Sequence, residues 1–230
     1  MSRMTNQKAS ATPPADRRAR RRQETIDEIL DIVVAIMSEE GVNGLSLSEV
    51  ARRLGVQPPS IYKYFPSLMA IYDELFLRGQ RVHLEVMRTA MDSADPGLDA
   101  LTAGLEASGR WSLANRAVAE LLFWRPVPKF EPSPEAMVIS QQMIEIQRTA
   151  LSDAVAAGQL GPDATSDEAV FLVSTLIVGV LSQAIANEPK LEWGTGRFTP
   201  LFPKLMRLLV AAYPLPSYRT RGAARSSVAQ

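Results

Sequence analysis

From Thr25 to Tyr213, apolar residues recur at three- and four-residue steps, punctuated by Gly and Pro, and no stretch sustains the two-residue alternation of a half-buried strand. This periodicity restricts the chain to an all-α fold. Ile26, Ile29, Leu30, Val33 and Met37 form the apolar stripe of a first helix, which Gly41 and Gly44 end with a turn at Val42-Asn43. Ser46-Leu47-Ser48-Glu49 has the form of a capping box opening a second, short helix that runs to Leu54 and stops at Gly55. A third helix starts at Pro58-Pro59, where missing N–H groups cost little, and is ended after Phe65 by Pro66. Ser67 then caps a longer helix to about Met91, followed by a turn at Asp95-Pro96-Gly97. Further helices are expected at 97–110, 113–124, 134–158, 165–187 and 198–212. Gly109, Pro126 to Pro134, Gly158 to Pro162 and Glu188 to Gly196 are the expected breaks. There is no internal repeat.

The chemistry available is as restricted as the fold. The 230 residues hold no cysteine and a single histidine, His83. A disulfide framework, Cys-based metal sites and His-cluster or Cys–His catalysis are therefore excluded, and a Ser-His-Asp triad would have to use His83. No linear motif supports an enzyme, a metal or a cofactor. Acidic and basic residues balance at 25 each, but unevenly: residues 1–24 carry +5, residues 214–230 carry +3, and the body between is acidic. The pattern suggests a flexible basic arm (1–23) and a flexible basic tail (214–230). Arg17, Arg18, Arg20 and Arg21 are candidates for DNA-backbone or minor-groove contact. The polar run after Arg22 is not that of a signal peptide. The uncharged stretch Ala169–Ala186 carries Ser174, Thr175, Ser182 and Gln183 and reads as a buried or subunit-interface helix. A cytoplasmic protein with no membrane partner is expected.

The two short helices around Gly55 make a helix-turn-helix candidate. The first must be short enough to cross a DNA backbone, the turn compact, and the second must present small or polar side chains where it enters a major groove. Val50, Ala51, Leu54, Val56, Ile61 and Phe65 are the apolar positions that would hold the pair against the first helix. Ser48, Gln57, Ser60, Lys63 and Tyr64 are left facing outward.

At this spacing the chain from Ile26 to Leu75 resembles the N-terminal domain of the TetR family of transcriptional regulators. The resemblance rests on Glu40-Gly41, Leu45-Ser46-Leu47, Val50-Ala51, Leu54-Gly55-Val56, Ser60-Ile61-Tyr62-Lys63-Tyr64-Phe65 and Ser67. It implies a helix-turn-helix domain at 24–66 and a helical ligand-binding and dimerisation domain at 67–213. It implies a homodimer through the last two helices, each subunit placing its third helix in a major groove of a near-palindromic double-stranded operator. By position it implies phosphate contacts from Ser46, Tyr62 and Tyr64. Gln57, Pro58, Ser60 and Lys63 would lie at or near base edges. Two positions depart from the family pattern. Leu68 stands where many members have a Lys, and Pro58-Pro59 supplies no long side chain, which shifts specificity toward Gln57, Lys63, methyl contacts and DNA shape.

Large apolar residues scattered over the C-terminal helices favour an apolar effector over a sugar or nucleotide. Met87, Met91, Trp111, Phe123, Trp124, Met137, Met143, Phe171 and Thr175 are the candidate lining. His83 is expected to be a packing or surface residue. The function expected is thus a DNA-binding transcriptional regulator, a repressor released from its operator by a small molecule. The alternative is an all-helical protein-interaction module that binds no specific DNA.

Overall fold

Serines 46, 67 and 166 each open a helix in the computed structural model, which describes residues 14–216. Their Oγ atoms accept the N–H groups of Glu49, Ala70 and Ala169 at 3.2, 3.2 and 3.3 Å. The described residues form eight α-helices and no strand. They are α1 (Pro14–Glu40), α2 (Leu47–Leu54), α3 (Leu68–Asp92), α4 (Leu98–Ala114), α5 (Arg116–Trp124), α6 (Pro134–Ala156), α7 (Asp167–Asn187) and α8 (Phe202–Ala212). Short 3-10 segments lie at Val42–Gly44, Pro58–Lys63, Pro162–Thr165 and Thr199–Leu201.

Two compact units are present, with boundaries that differ from the expected division at residues 66 and 67. One comprises the chain up to Gly79 together with Arg116–Ala136; the other comprises Gln80–Asn115 and the chain from Met137 onward. In the first unit Ile29, Leu30, Val33, Ile36 and Met37 of α1 are buried with Val50, Ala51, Ile61 and Phe65. The Tyr72 hydroxyl, buried, donates to the carbonyl of Val42 at 2.7 Å and ties α3 to the turn after α1. A Cβ at Gly79 would lie 2.7 Å from Val118 Cγ1, so this glycine lets α3 and α5 approach closely. The proline-rich loop after α5 is anchored on α3: Phe130 packs on Tyr72 and Phe76, with ring centroids 5.9 Å apart in each case. Asp73 accepts the Ser133 N–H at 2.7 Å.

In the second unit α7 packs with α4 and α8 around Leu101, Leu105, Leu151, Val170, Val173, Leu181, Phe202 and Leu209. The expected break at Gly109 does not occur, and α4 continues to Ala114. Gly109 is there for contact: the Trp193 ring occupies the space a Cβ would fill, and Trp193 in turn packs edge-on against Phe202, centroids 5.4 Å apart. Among the described residues α7 is the one helix long and apolar enough to cross a membrane, but its Val170, Val173, Ile177 and Leu181 face the core of this unit.

Residues 14–23, expected as part of a flexible arm, belong to α1. Residues 1–13 and the tail from 217 lie outside the described residues.

Candidate functional site

The hinge of the site is the turn at Gly55. It adopts the left-handed conformation (φ 74°, ψ 25°), donates its N–H to Arg52 O at 3.2 Å, and leaves Val56 N–H to reach Ala51 O at 3.0 Å. These two bonds form a Schellman motif, which ends α2 and fixes the direction of the chain leaving it. Val56, expected to be buried, is 37% exposed, because its backbone rather than its side chain closes the turn. The second element is a 3-10 helix rather than an α-helix. Ser60 N–H bonds Gln57 O at 2.8 Å and Tyr64 N–H bonds Ile61 O at 2.9 Å. Two prolines at its start and Pro66 three residues past its end confine it to six residues, already longer than most 3-10 runs.

Ile61 and Phe65 are buried and seat this element. Gln57, Tyr62 and Lys63 are exposed, Tyr62 by 56%, and Pro58, Ser60 and Tyr64 are half-buried beside them. Ser46 and Ser48 are exposed at the start of α2. The sequence-derived residues of this region are thus brought to one helix-turn-helix unit.

The capping box is only half made. Ser46 caps Glu49, but the Glu49 carboxylate turns away to accept from Arg52 at 2.6 and 2.7 Å and from Arg53 at 2.7 Å. These bonds hold its pKa down at about 2. Arg53 also pairs with Glu39 at 2.7 Å, and its bonds lower the Glu39 pKa in turn. Both arginines of α2 are therefore engaged by carboxylates of their own chain.

Further cationic charge lies at the start of α1. Arg17, Arg18, Arg20, Arg21 and Arg22 are all exposed, and Arg20 forms an open ion pair with Glu24 at 3.3 Å. Arg22, absent from the sequence-derived site, donates from its guanidinium to Lys63 O at 3.0 Å. It also covers the Tyr64 ring at 5.4 Å from the centroid. No local motif links positions 22 and 63; the contact follows from α1 extending past the domain it caps.

The candidate effector residues separate. In the second unit Met87 and Met143 are buried, Met91 and Met137 are half-buried, and Trp111 is stacked on His83 with centroids 4.8 Å apart. His83 is buried, Nε2 lies 2.7 Å from Ser108 Oγ, and burial lowers its pKa to about 4, so the imidazole is neutral at pH 7. Met91 borders a cavity of about 550 Å³ between α3, α4 and α6. Phe123 and Trp124 belong to the first unit, edge to face with centroids 5.7 Å apart. Phe171 and Thr175 do not line an interior: Phe171 is 62% exposed, and the two share the outer face of α7 with Gly179 and Gln183. Their helical spacing identified a face, not the side of the helix that faces inward.

This arrangement defines a helix-turn-helix DNA-binding domain followed by a helical bundle. Residues 29–75 match the family described as bacterial regulatory proteins, tetR family. The match spans the helix-turn-helix segment and part of the helix on either side of it. An uncharacterised HTH-type transcriptional regulator, YobS, of Bacillus subtilis is 43% identical over 51 residues, 22% of this chain and 27% of that protein. The HTH-type transcriptional repressor DrrR1 of Streptomyces coeruleorubidus is 34% identical over 90 residues, 39% of this chain and 31% of the repressor. The chain thus spans about a third or less of the length of these two curated relatives. The fold extends further: the transcriptional regulator FadR of Bacillus subtilis, solved in complex with stearoyl-CoA, superposes with a TM-score of 0.67 at 18% identity. The match covers 81% of this chain and 98% of FadR.

Proposed function

We propose that the protein is a homodimeric transcriptional repressor, acting in the cytoplasm, that leaves a near-palindromic operator when a small, largely apolar effector binds its C-terminal bundle. One observation carries the reading: Gln57, Tyr62 and Lys63 stand exposed at the start of and along a short element whose direction is set by the Schellman turn, with Arg22 of α1 bonded to it. In this reading Gln57, Pro58, Ser60 and Lys63 meet base edges. Ser46, Ser48, Tyr62, Tyr64 and the arginines at 17, 18, 20 and 21 meet phosphates. Dimerisation is supported by Phe171 on α7 and by Leu201 and Leu208 around α8, exposed by 62, 47 and 55%, more apolar surface than solvent favours at neighbouring positions. The effector acts as any allosteric ligand does, by binding one dimer geometry better than the one DNA selects.

Selection of duplexes from a random pool at ~150 mM salt tests this reading, since about 6–10 phosphate contacts should weaken binding 10³–10⁵-fold between 50 and 200 mM salt. Enrichment of one inverted repeat supports it. Failure to bind duplex at any salt supports a protein-interaction module instead.

A further inference from the structure

Three helices of the second unit line their shared interior in an unusual way. On α3, Gln80, His83 and Met87 are buried in succession on one face. On α6, half-buried Ser140 is followed by buried Met143 and Gln147, and α4 contributes Ser108 and Trp111. A core position is ordinarily aliphatic, because a buried polar group must recover the hydrogen bonds it loses with water. Here the recovery is incomplete. Gln80 is 4% exposed, and its Nε2 donates to Ser140 Oγ at 2.9 Å, but its Oε1 has no hydrogen-bond partner. Turning the amide over would only move the unspent group from oxygen to nitrogen.

About two helical turns along the same faces lies the 550 Å³ cavity, lined by Met91, Ala100 and Ile146 together with Arg88, Asp92 and Asp153. That volume falls within the roughly 300–1,000 Å³ of small-molecule sites. Between the cavity and Gln80 these faces carry Met87 and Met143. Across from Met91 is Gly104, whose Cβ would lie 2.6 Å from Met91 Cγ. Methionines are unbranched and repack at small cost.

We propose that the cavity and the Gln80 amide are two ends of one elongated effector site. Its ligand is a neutral amphiphile whose apolar body displaces the methionine side chains and whose hydroxyl bonds to Gln80. A hydroxyl both donates and accepts, so it complements the amide in either orientation. The buried polar side chains on these faces, Gln80, His83, Ser108 and Gln147, are all uncharged at neutral pH. A carboxylate or phosphate head placed there would be desolvated with no cation beside it. At the cavity Arg88 is outnumbered by Asp92 and Asp153, which disfavours anions there too. The proposal rests on the effector-responsive reading above and narrows it to a chemical class.

Calorimetric titration of the full chain with 1-dodecanol, dodecyl methyl ether and dodecanoate tests the assignment. We expect the alcohol to bind at least about tenfold more tightly than dodecanoate. Gln80→Leu should reduce alcohol affinity about tenfold, the effect of one buried hydrogen bond, and leave the ether within about twofold. Gln80→Met, which keeps the length of the side chain, should behave alike and serves if the leucine variant does not fold. Equal binding of dodecanoate, unchanged alcohol binding in both variants, or no binding of any probe overturns the proposal. Duplex binding is assayed on the same preparation. Alcohol binding without operator selection leaves the site standing and sinks the repressor reading, whereas operator binding without alcohol binding does the reverse.

Discussion

Arg22 donates a hydrogen bond to the backbone carbonyl of Lys63, 41 residues further along the chain, and its guanidinium covers the ring of Tyr64. The start of α1 is thereby fastened to the element proposed to read DNA. Arg22→Ala should lower operator affinity by roughly fivefold, about 1 kcal/mol for an exposed charged hydrogen bond, and narrow the gap between operator and scrambled duplex. Its salt slope should change little. Filter-binding titrations on both duplexes at several salt concentrations check this; a uniform loss with a shallower slope would make Arg22 a phosphate contact instead.

Replacing Arg17, Arg18 and Arg21 with Gln should have effects of opposite sign on stability and binding. Cations in the first turns of α1 oppose the positive end of the helix dipole, so their removal should stabilise the free helix by about 0.3–1 kcal/mol. The same change should flatten the salt dependence of duplex binding, by about 0.9 in log–log slope for each phosphate no longer neutralised. Thermal melts monitored by circular dichroism and salt titrations read the two effects separately.

Glu49→Gln should release Arg52 from the carboxylate it shares with Arg53, while Arg53 stays paired with Glu39. The expected outcome is tighter, less selective duplex binding with a salt slope steeper by about one. Because the Glu49 pKa is held at about 2, the wild-type pairing persists over the whole neutral and mildly acidic range. Binding of the variant and the wild type should therefore differ equally at pH 5.5 and 7.5. A difference that vanishes at pH 5.5 would contradict the pairing.

His83 makes stability depend on pH with a defined sign. Burial lowers its pKa from 6.5 to about 4, so between those values the unfolded chain binds more protons and stability falls as the pH drops. At pH 5 the loss from this group is about 2 kcal/mol relative to pH 7. Urea unfolding of the wild type and of His83→Phe, which keeps a ring beside Trp111, isolates it from the carboxylates both proteins share. Equal losses in the two proteins would show that His83 does not titrate as its burial requires.

Local signals were the most legible part of the sequence. Ser46, Gly55 and Ser67 act through neighbours three to five residues away, and the structure uses each as its spacing implies. Failures came where a distant or a competing partner decided the outcome. Gly109 has the composition of a helix end, but Trp193 gives it a packing role inside α4. Glu49 completes a capping pattern by its spacing, yet Arg52 and Arg53 outcompete the backbone for its carboxylate. Phe171 and Thr175 share helical periodicity with the buried residues of α7, and periodicity alone does not distinguish a face turned to a ligand from one turned outward. Gln80 and Ser140 lie 60 residues apart, and only the bundle brings their side chains together.

The fit of Trp193 against Gly109 also constrains the order in which this chain can change. An alanine at 109 needs the volume the indole already fills, so it is costly while Trp193 remains and cheap once a small residue has replaced it. The two positions form a one-way gate: loss of the tryptophan comes first, after which position 109 drifts freely and reversion at 193 is blocked. Descendants of this sequence that keep Trp193 should therefore also keep Gly109, whereas those that have lost Trp193 can carry glycine or a larger residue at 109.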